Sequence, residues 1–199
     1  MSGQFRPDDA ARASPLQTAL LQAEDMAAEL RDYARFGDAD GVASLTSDAM
    51  WPDATTRSHF VNAAEESSGN TALHMACANG HASIVQLLLE RGADASVCNQ
   101  RGNTALHWAA MNGQLACVQA LLRAGDAAER AANSIDSVCD PWARNASGNT
   151  ALDEAQQAQR HEVCAFLAEH MERHTGATTA TADASDWLDA EESPADATN

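Results

Sequence analysis

The stretch GNTALHMACANGH, residues 69–81, returns as GNTALHWAAMNGQ at residues 102–114 and, in its first half, as GNTALDEAQQAQR at residues 148–160. Leu73 and Leu106 stand 33 residues apart, and Leu152 follows Leu106 by 46, one period and 13 residues more. A fixed period of this length marks a stack of supersecondary units, none of which can bury its apolar face alone. The extra residues can be placed. Gly92 precedes Asp94 by two positions, whereas Gly125 precedes the equivalent Asp140 by fifteen, so the insertion is residues 127–139. Upstream, Leu30, Gly37, Val42 and Leu45 repeat the mutual offsets of Leu73, Gly80, Val85 and Leu88 without the TALH motif, as expected of a terminal unit whose outer face meets water. Their spacing of 43 to the next copy requires a second insertion, of ten residues, between Ser47 and Ser68, taking in Trp51 and Pro52.

Within each copy the residue types follow helix logic. Thr71, Thr104 and Thr150 precede the first apolar helix, where a hydroxyl can satisfy orphan N–H groups. Gly80 and Gly113 fall where that helix must end and the chain reverse. The last copy has Gln159 and Arg160 there, so its turn is expected to be less regular. The second helices carry Ile84-Val85 with Leu87-Leu88-Leu89, Cys117-Val118 with Leu121-Leu122, and Val163-Cys164 with Phe166-Leu167, which form a continuous core. The fold class is therefore all-α: a solenoid of about four helix-turn-helix repeats with short hairpin tips and two long inter-repeat loops, near 46–68 and 126–140. The expected division is a flexible N-terminal arm at 1–19, an array at 20–171 with copies near 24–46, 69–98, 102–125 and 148–171, and an acidic disordered tail at 172–199.

Composition fits a small-residue helical core: 45% of the 199 residues are apolar but only 5% aromatic. The formal net charge is −17, from 29 acidic against 12 basic residues, every one of the latter an arginine. Such a surface repels nucleic-acid phosphates and anionic lipid and attracts basic proteins. No run approaches the roughly 18–20 apolar residues that span a bilayer, and Asp8 and Asp9 precede any apolar stretch, which fits no secretory or transit signal. The expected location is the cytoplasm, with the nucleus open by size.

Five cysteines, an odd number with no CxxC pair, predict neither a disulfide framework nor a zinc ribbon. Cys77, Cys117 and Cys164 fall on helical core positions, and Cys98 and Cys139 in loops. His74 and His81 lie two helical turns apart, but without further Cys or His grouped nearby neither a metal site nor another cofactor is expected. No Ser-His-Asp order or phosphate-cradling glycine loop stands outside the repeat, so a binding protein and not an enzyme is expected.

With its period of 33 and its TALH motifs, the chain resembles the ankyrin-repeat family. The resemblance implies that His74 and His107 tie neighbouring repeats through backbone hydrogen bonds, and that hairpin tips and first helices line a concave binding face. On that face Met75, Trp108 and Glu154 occupy equivalent positions after the TALH or TALD motif; Asn79, Met111 and Asn112 follow, and Asn99–Arg101, Asn103 and Asn145–Ser147 form the tips. Trp108 reads either as an aromatic anchor for a partner or as packing between first helices. Trp142, after Pro141, reads as loop packing or partner contact. Glu65 and Glu66 are candidates for steering a basic partner. In the tail, Asp186-Trp187-Leu188-Asp189 reads as a short hook for such a partner or as part of a solvated acidic run.

TALHMACANGH and TALHWAAMNGQ, followed after the long insertion by DPWARNASGNTALDEA, also resemble the fungal ankyrin chaperones that escort a basic small-subunit ribosomal protein, the universal protein numbered three. The resemblance covers about residues 25–170 and includes Trp108 and Asn112. It implies capture of the N-terminal part of that client before ribosome assembly; the free chain is expected to be a monomer, with no nucleic-acid or membrane partner. The chain departs from that pattern in having no lysine and in its own insertion sequences. A scaffold or regulatory inhibitor in cytosolic or nuclear signalling is the alternative.

Overall fold

Backbone is described for residues 15–51, 53–132 and 139–175 of the computed structural model, and side chains for 24–51, 53–126 and 139–174. The TALH stretches form helices where the threonines predict: α4 (Ala72–Asn79), α6 (Ala105–Asn112) and α8 (Ala151–Gln157) follow N-caps Thr71, Thr104 and Thr150. Each is the first member of a pair, completed by α5 (Ala82–Glu90), α7 (Leu115–Ala132) and α9 (His161–Thr175). The upstream copy supplies α1 (Pro15–Phe36) and α2 (Ala39–Leu45), and α3 (Ala54–Val61) lies in the first insertion. No strand occurs among the described residues.

The pairs stack in two layers. In the inner layer α1 packs on α4, α4 on α6 and α6 on α8; in the outer, α2 meets α5, α5 meets α7 and α7 meets α9. Alanines let the inner helices approach closely: Ala72, Ala76, Ala105, Ala109, Ala110, Ala151 and Ala155 are all buried. Larger groups fill the space between layers, with Leu30, Leu73, Ile84, Leu88, Leu106, Leu121, Leu122 and Leu167 fully enclosed. Each such side chain contributes about 1.5–3 kcal/mol, so a core almost without aromatic rings suffices.

Both long connections stand where the spacings put them, and both carry helix as well as loop. In the first, Asp53 caps α3 by accepting from Thr56 N at 2.7 Å. Trp51 stacks on Phe60 with centroids 4.4 Å apart and donates its indole N–H to Leu45 O at 2.8 Å. Phe60 and Val61 enter the core. At its far end α3 docks on the turn after α5: Ser58 Oγ and Asn62 Nδ2 both donate to Gly92 O, and Asp94 N donates to Asn62 Oδ1. Asp48 pairs with Arg57 and Arg91 beside this seam. In the second insertion α7 runs on to Ala132, through half of the residues expected as loop. Gly125 is not among the glycines with positive φ, so it does not end the helix, and the AAERAA that follows Asp126 consists of strong helix formers. At the ends, α1 begins at Pro15 inside the expected arm and α9 continues to Thr175 inside the expected tail. Residues 1–14 and 176–199, with Trp187 and Leu188, lie outside the described residues.

Gly80 and Gly113 cap α4 and α6 in the left-handed region, with φ of 83° and 75°. The last repeat makes the same reversal with Gln159 at φ 58°, the one non-glycine in that region among the described residues. A β-carbon there costs about 1–2 kcal/mol. Gln159→Gly is therefore expected to stabilise the protein by about 1 kcal/mol, raising the urea midpoint without changing the slope of the transition. The hairpin glycines separate two costs: a β-carbon on Gly102 would lie 2.7 Å from Ala146 N of the next hairpin, whereas one on Gly148, also at positive φ, would meet nothing within 4 Å among the described residues. Gly102→Ala should then cost at least about 1 kcal/mol more than Gly148→Ala in the same measurement.

Candidate functional site

Repeat-to-repeat geometry begins at the buried His74 and His107. His74 Nδ1 accepts from Thr71 N at 3.2 Å and lies 2.9 Å from Thr71 Oγ1, while Nε2 reaches Asn103 O of the next repeat at 3.0 Å. His107 repeats this with Thr104 N at 3.2 Å and Asn149 O at 3.1 Å. Acceptance at Nδ1 fixes the proton on Nε2, so the ring is a neutral two-ended link. Burial holds both imidazoles below their ordinary range; the bonds to Asn103 and Asn149 work the other way. In the last repeat Asp153 takes the histidine's place and makes only the local half: Thr150 N donates to Asp153 Oδ2 at 2.8 Å, and Asp153 N to Thr150 Oγ1 at 3.2 Å.

A second ladder joins the hairpin tips. Asn99 and Asn145, expected at the variable tips, are buried, and each Oδ1 accepts two N–H groups of its own turn. Their Nδ2 groups donate to Asn70 Oδ1 at 2.9 Å and Asn103 Oδ1 at 2.8 Å in the preceding hairpin. Backbone bonds from Gln100 N to Ser68 O and from Ala146 N to Arg101 O complete the stack. These asparagines hold the hairpins in register, which a tip position alone does not reveal.

Inner helices set the candidate binding residues along one face. Met75 on α4 and Trp108 and Met111 on α6 are half-buried, leaving an apolar stripe partly open to solvent. The Trp108 indole N–H is buried and has no hydrogen-bond partner among the described residues. Arg35 flanks the stripe, its Nη2 3.7 Å from Met75 Sδ. Asn79 and Asn112 donate from Nδ2 to Met75 O and Trp108 O, securing the last turns of α4 and α6. Glu154 extends the row onto α8, but its Oε1 accepts from Asn145 Nδ2 at 2.7 Å and Asn149 Nδ2 at 3.1 Å. Glu65 accepts from Ser68 Oγ at 2.5 Å, and this bond, aided by Arg31 and Arg35, holds its carboxyl below the usual range. Glu66 is exposed and lines a cleft of about 490 Å³ with Arg31, Trp51, His59 and Phe60. Trp142 is exposed on the hairpin that precedes α8, which is turned by Trp142 N donating to Asp140 Oδ1, as Ser96 N does to Asp94.

Three of the five thiols, Cys77, Cys117 and Cys139, are buried. Cys77 and Cys117 are free thiols that share a hydrogen bond, which holds Cys117 below its ordinary range; burial pushes the Cys77 thiol far up, and burial with the charges of Asp140 and Asp126 pushes Cys139 up to about 12. A different cluster went unread in the sequence: Asp126 of α7 with His170 and His174 of α9, whose donor atoms all lie within 4.8 Å of one another. The spacing of four between the histidines is visible in the chain, but the carboxylate comes from another repeat.

A family model described as ankyrin repeats, in three copies, matches residues 26–132, more than half of the chain. The comparison with curated proteins finds no match.

Because the buried imidazoles have lowered proton affinity, the unfolded chain binds protons there first. The stability they confer is complete above about pH 6.5, the ordinary imidazole value, and declines as pH falls below it. Thermal midpoints should drop between pH 7.5 and pH 5, and the drop should be shallower in His107→Gln. At pH 7.5 His107→Ala should lose stability, since it orphans a buried donor and a buried acceptor at about 1–3 kcal/mol each.

Proposed function

Since the chain belongs to the ankyrin-repeat family, a protein–protein interaction module, we propose that it captures a basic protein and holds it soluble without catalysing a reaction. The observation that carries the reading is the net charge of −17 on an interaction module without a single lysine. A surface of that sign repels competing nucleic acid and draws in a cation-rich chain. The half-buried Met75, Trp108 and Met111 supply what charge cannot, a water-excluding place for an apolar side chain of the client. The likeness of the two TALH motifs and the DPWARN hairpin to the fungal chaperones favours a small-subunit ribosomal protein as that client, met in the cytoplasm or nucleus before assembly. By mass action, a carrier that binds the free client lowers the concentration available to aggregate or to adhere to RNA.

Acidic steering and apolar anchoring respond differently to perturbation. Exposed ion pairs are worth about 0–1 kcal/mol each and weaken with salt, so they govern association rate. A buried aromatic anchor contributes about 2 kcal/mol or more and governs dissociation. With the N-terminal part of the ribosomal protein as probe, Trp108→Ala is expected to raise the dissociation rate about 30-fold, with the helical circular-dichroism signal retained. Neutralising Glu66 should slow association chiefly at low salt. Association rates independent of salt would point instead to a regulator of a neutral partner and overturn the carrier reading.

A further inference from the structure

The carboxylate of Asp126 and the imidazoles of His170 and His174 converge at the C-terminal end of the array, away from the stripe on the inner helices. His174 Nε2 lies 3.2 Å, and His170 Nε2 3.7 Å, from the same oxygen, Asp126 Oδ1. A tetrahedral ion with ligand distances of about 2.0–2.1 Å needs donors about 3.3 Å apart. The two rings, from positions four apart on one helix face, stand with centroids 4.2 Å apart. His174 Nδ1 lies 2.8 Å from His170 O, a carbonyl that can only accept. The ring proton is thereby placed on Nδ1, and the Nε2 lone pair is left facing Asp126. This is the outer-shell arrangement that orients a metal-binding histidine.

We propose that Asp126, His170 and His174 form a zinc site, with a water in the fourth position, that fastens α9 to the extended end of α7. Two imidazoles and one carboxylate are a donor set suited to a borderline divalent ion, whereas calcium and magnesium require oxygen ligands. His170 is buried, so its side chain is already ordered for the site, while His174 and Asp126 are partly open and give an ion access. The site joins α7 to α9, neighbours in the outer layer.

The test is zinc titration of the full chain, purified free of metal in a Cys98→Ser background because Cys98 is the exposed thiol. Calorimetry is expected to show one zinc per chain, and cobalt to give the intense visible bands of tetrahedral coordination. Saturating zinc should raise the thermal midpoint by about 5 °C. His174→Ala and Asp126→Asn should each weaken binding at least about 100-fold and remove the thermal shift while leaving the metal-free circular-dichroism spectrum unchanged. The proposal is overturned if the chain binds no zinc at 100-fold excess, or if binding survives both substitutions and so belongs to other side chains.

Discussion

A neutral imidazole with a proton on one nitrogen and a lone pair on the other can do something no other side chain does at this position: accept a hydrogen bond and donate one, at opposite ends of a rigid ring. At His74 and His107 the accepting end organises the start of its own helix and the donating end reaches a carbonyl of the next hairpin. Cap, helix axis and repeat spacing are thus coupled through five ring atoms. The alanine faces can approach only because this spacing is fixed, and the asparagine ladder of Asn70, Asn99, Asn103 and Asn145 closes only at the same spacing. Polar groups buried in this manner are fully partnered, so they specify register without the cost of unsatisfied burial.

The repeat made most of this legible in advance. Leu73, Leu106 and Leu152 gave the period and the size of an insertion, and the matching turns at Asp94 and Asp140 agree with where it was placed. What the insertions contain was harder to read. ATTRSHFV in α3 has two threonines and no helical apolar stripe; it is held by the Asp53 cap, the Trp51–Phe60 stack and the bonds to Gly92, all tertiary or end effects. The overrun of α7 was obscured by Gly125, which reads as a helix terminator but adopts helical backbone here.

For the candidate site, sequence position distinguished exposed from buried less well. Asn99 and Asn145 lie at hairpin tips, where variable contact residues are expected, yet two neighbouring hairpins enclose them. Glu154 looks like a free charge beside Trp108 in register, but two asparagine side chains occupy its carboxylate. Asp126 and His170 are separated by 44 positions with the long insertion between them, so no local pattern pairs them. Met75 and Trp108 in the half-buried stripe are different, because their spacing of 33 follows from the repeat itself.

The substitution of aspartate for histidine at position 153 has a meaning for the molecule among its own copies. An array whose last repeat carried the two-ended imidazole would offer an N–H to the first carbonyl that approached in register. Such a head-to-tail contact does not close on itself and propagates as a filament. Asp153 accepts from Thr150 N and Thr150 Oγ1 through one oxygen, and its carboxylate has no donor to offer a carbonyl. Among the described residues nothing lies over Gly148, where Gly69 and Gly102 are covered by a following hairpin, so this face of the last described repeat has no imidazole donor for another copy to engage.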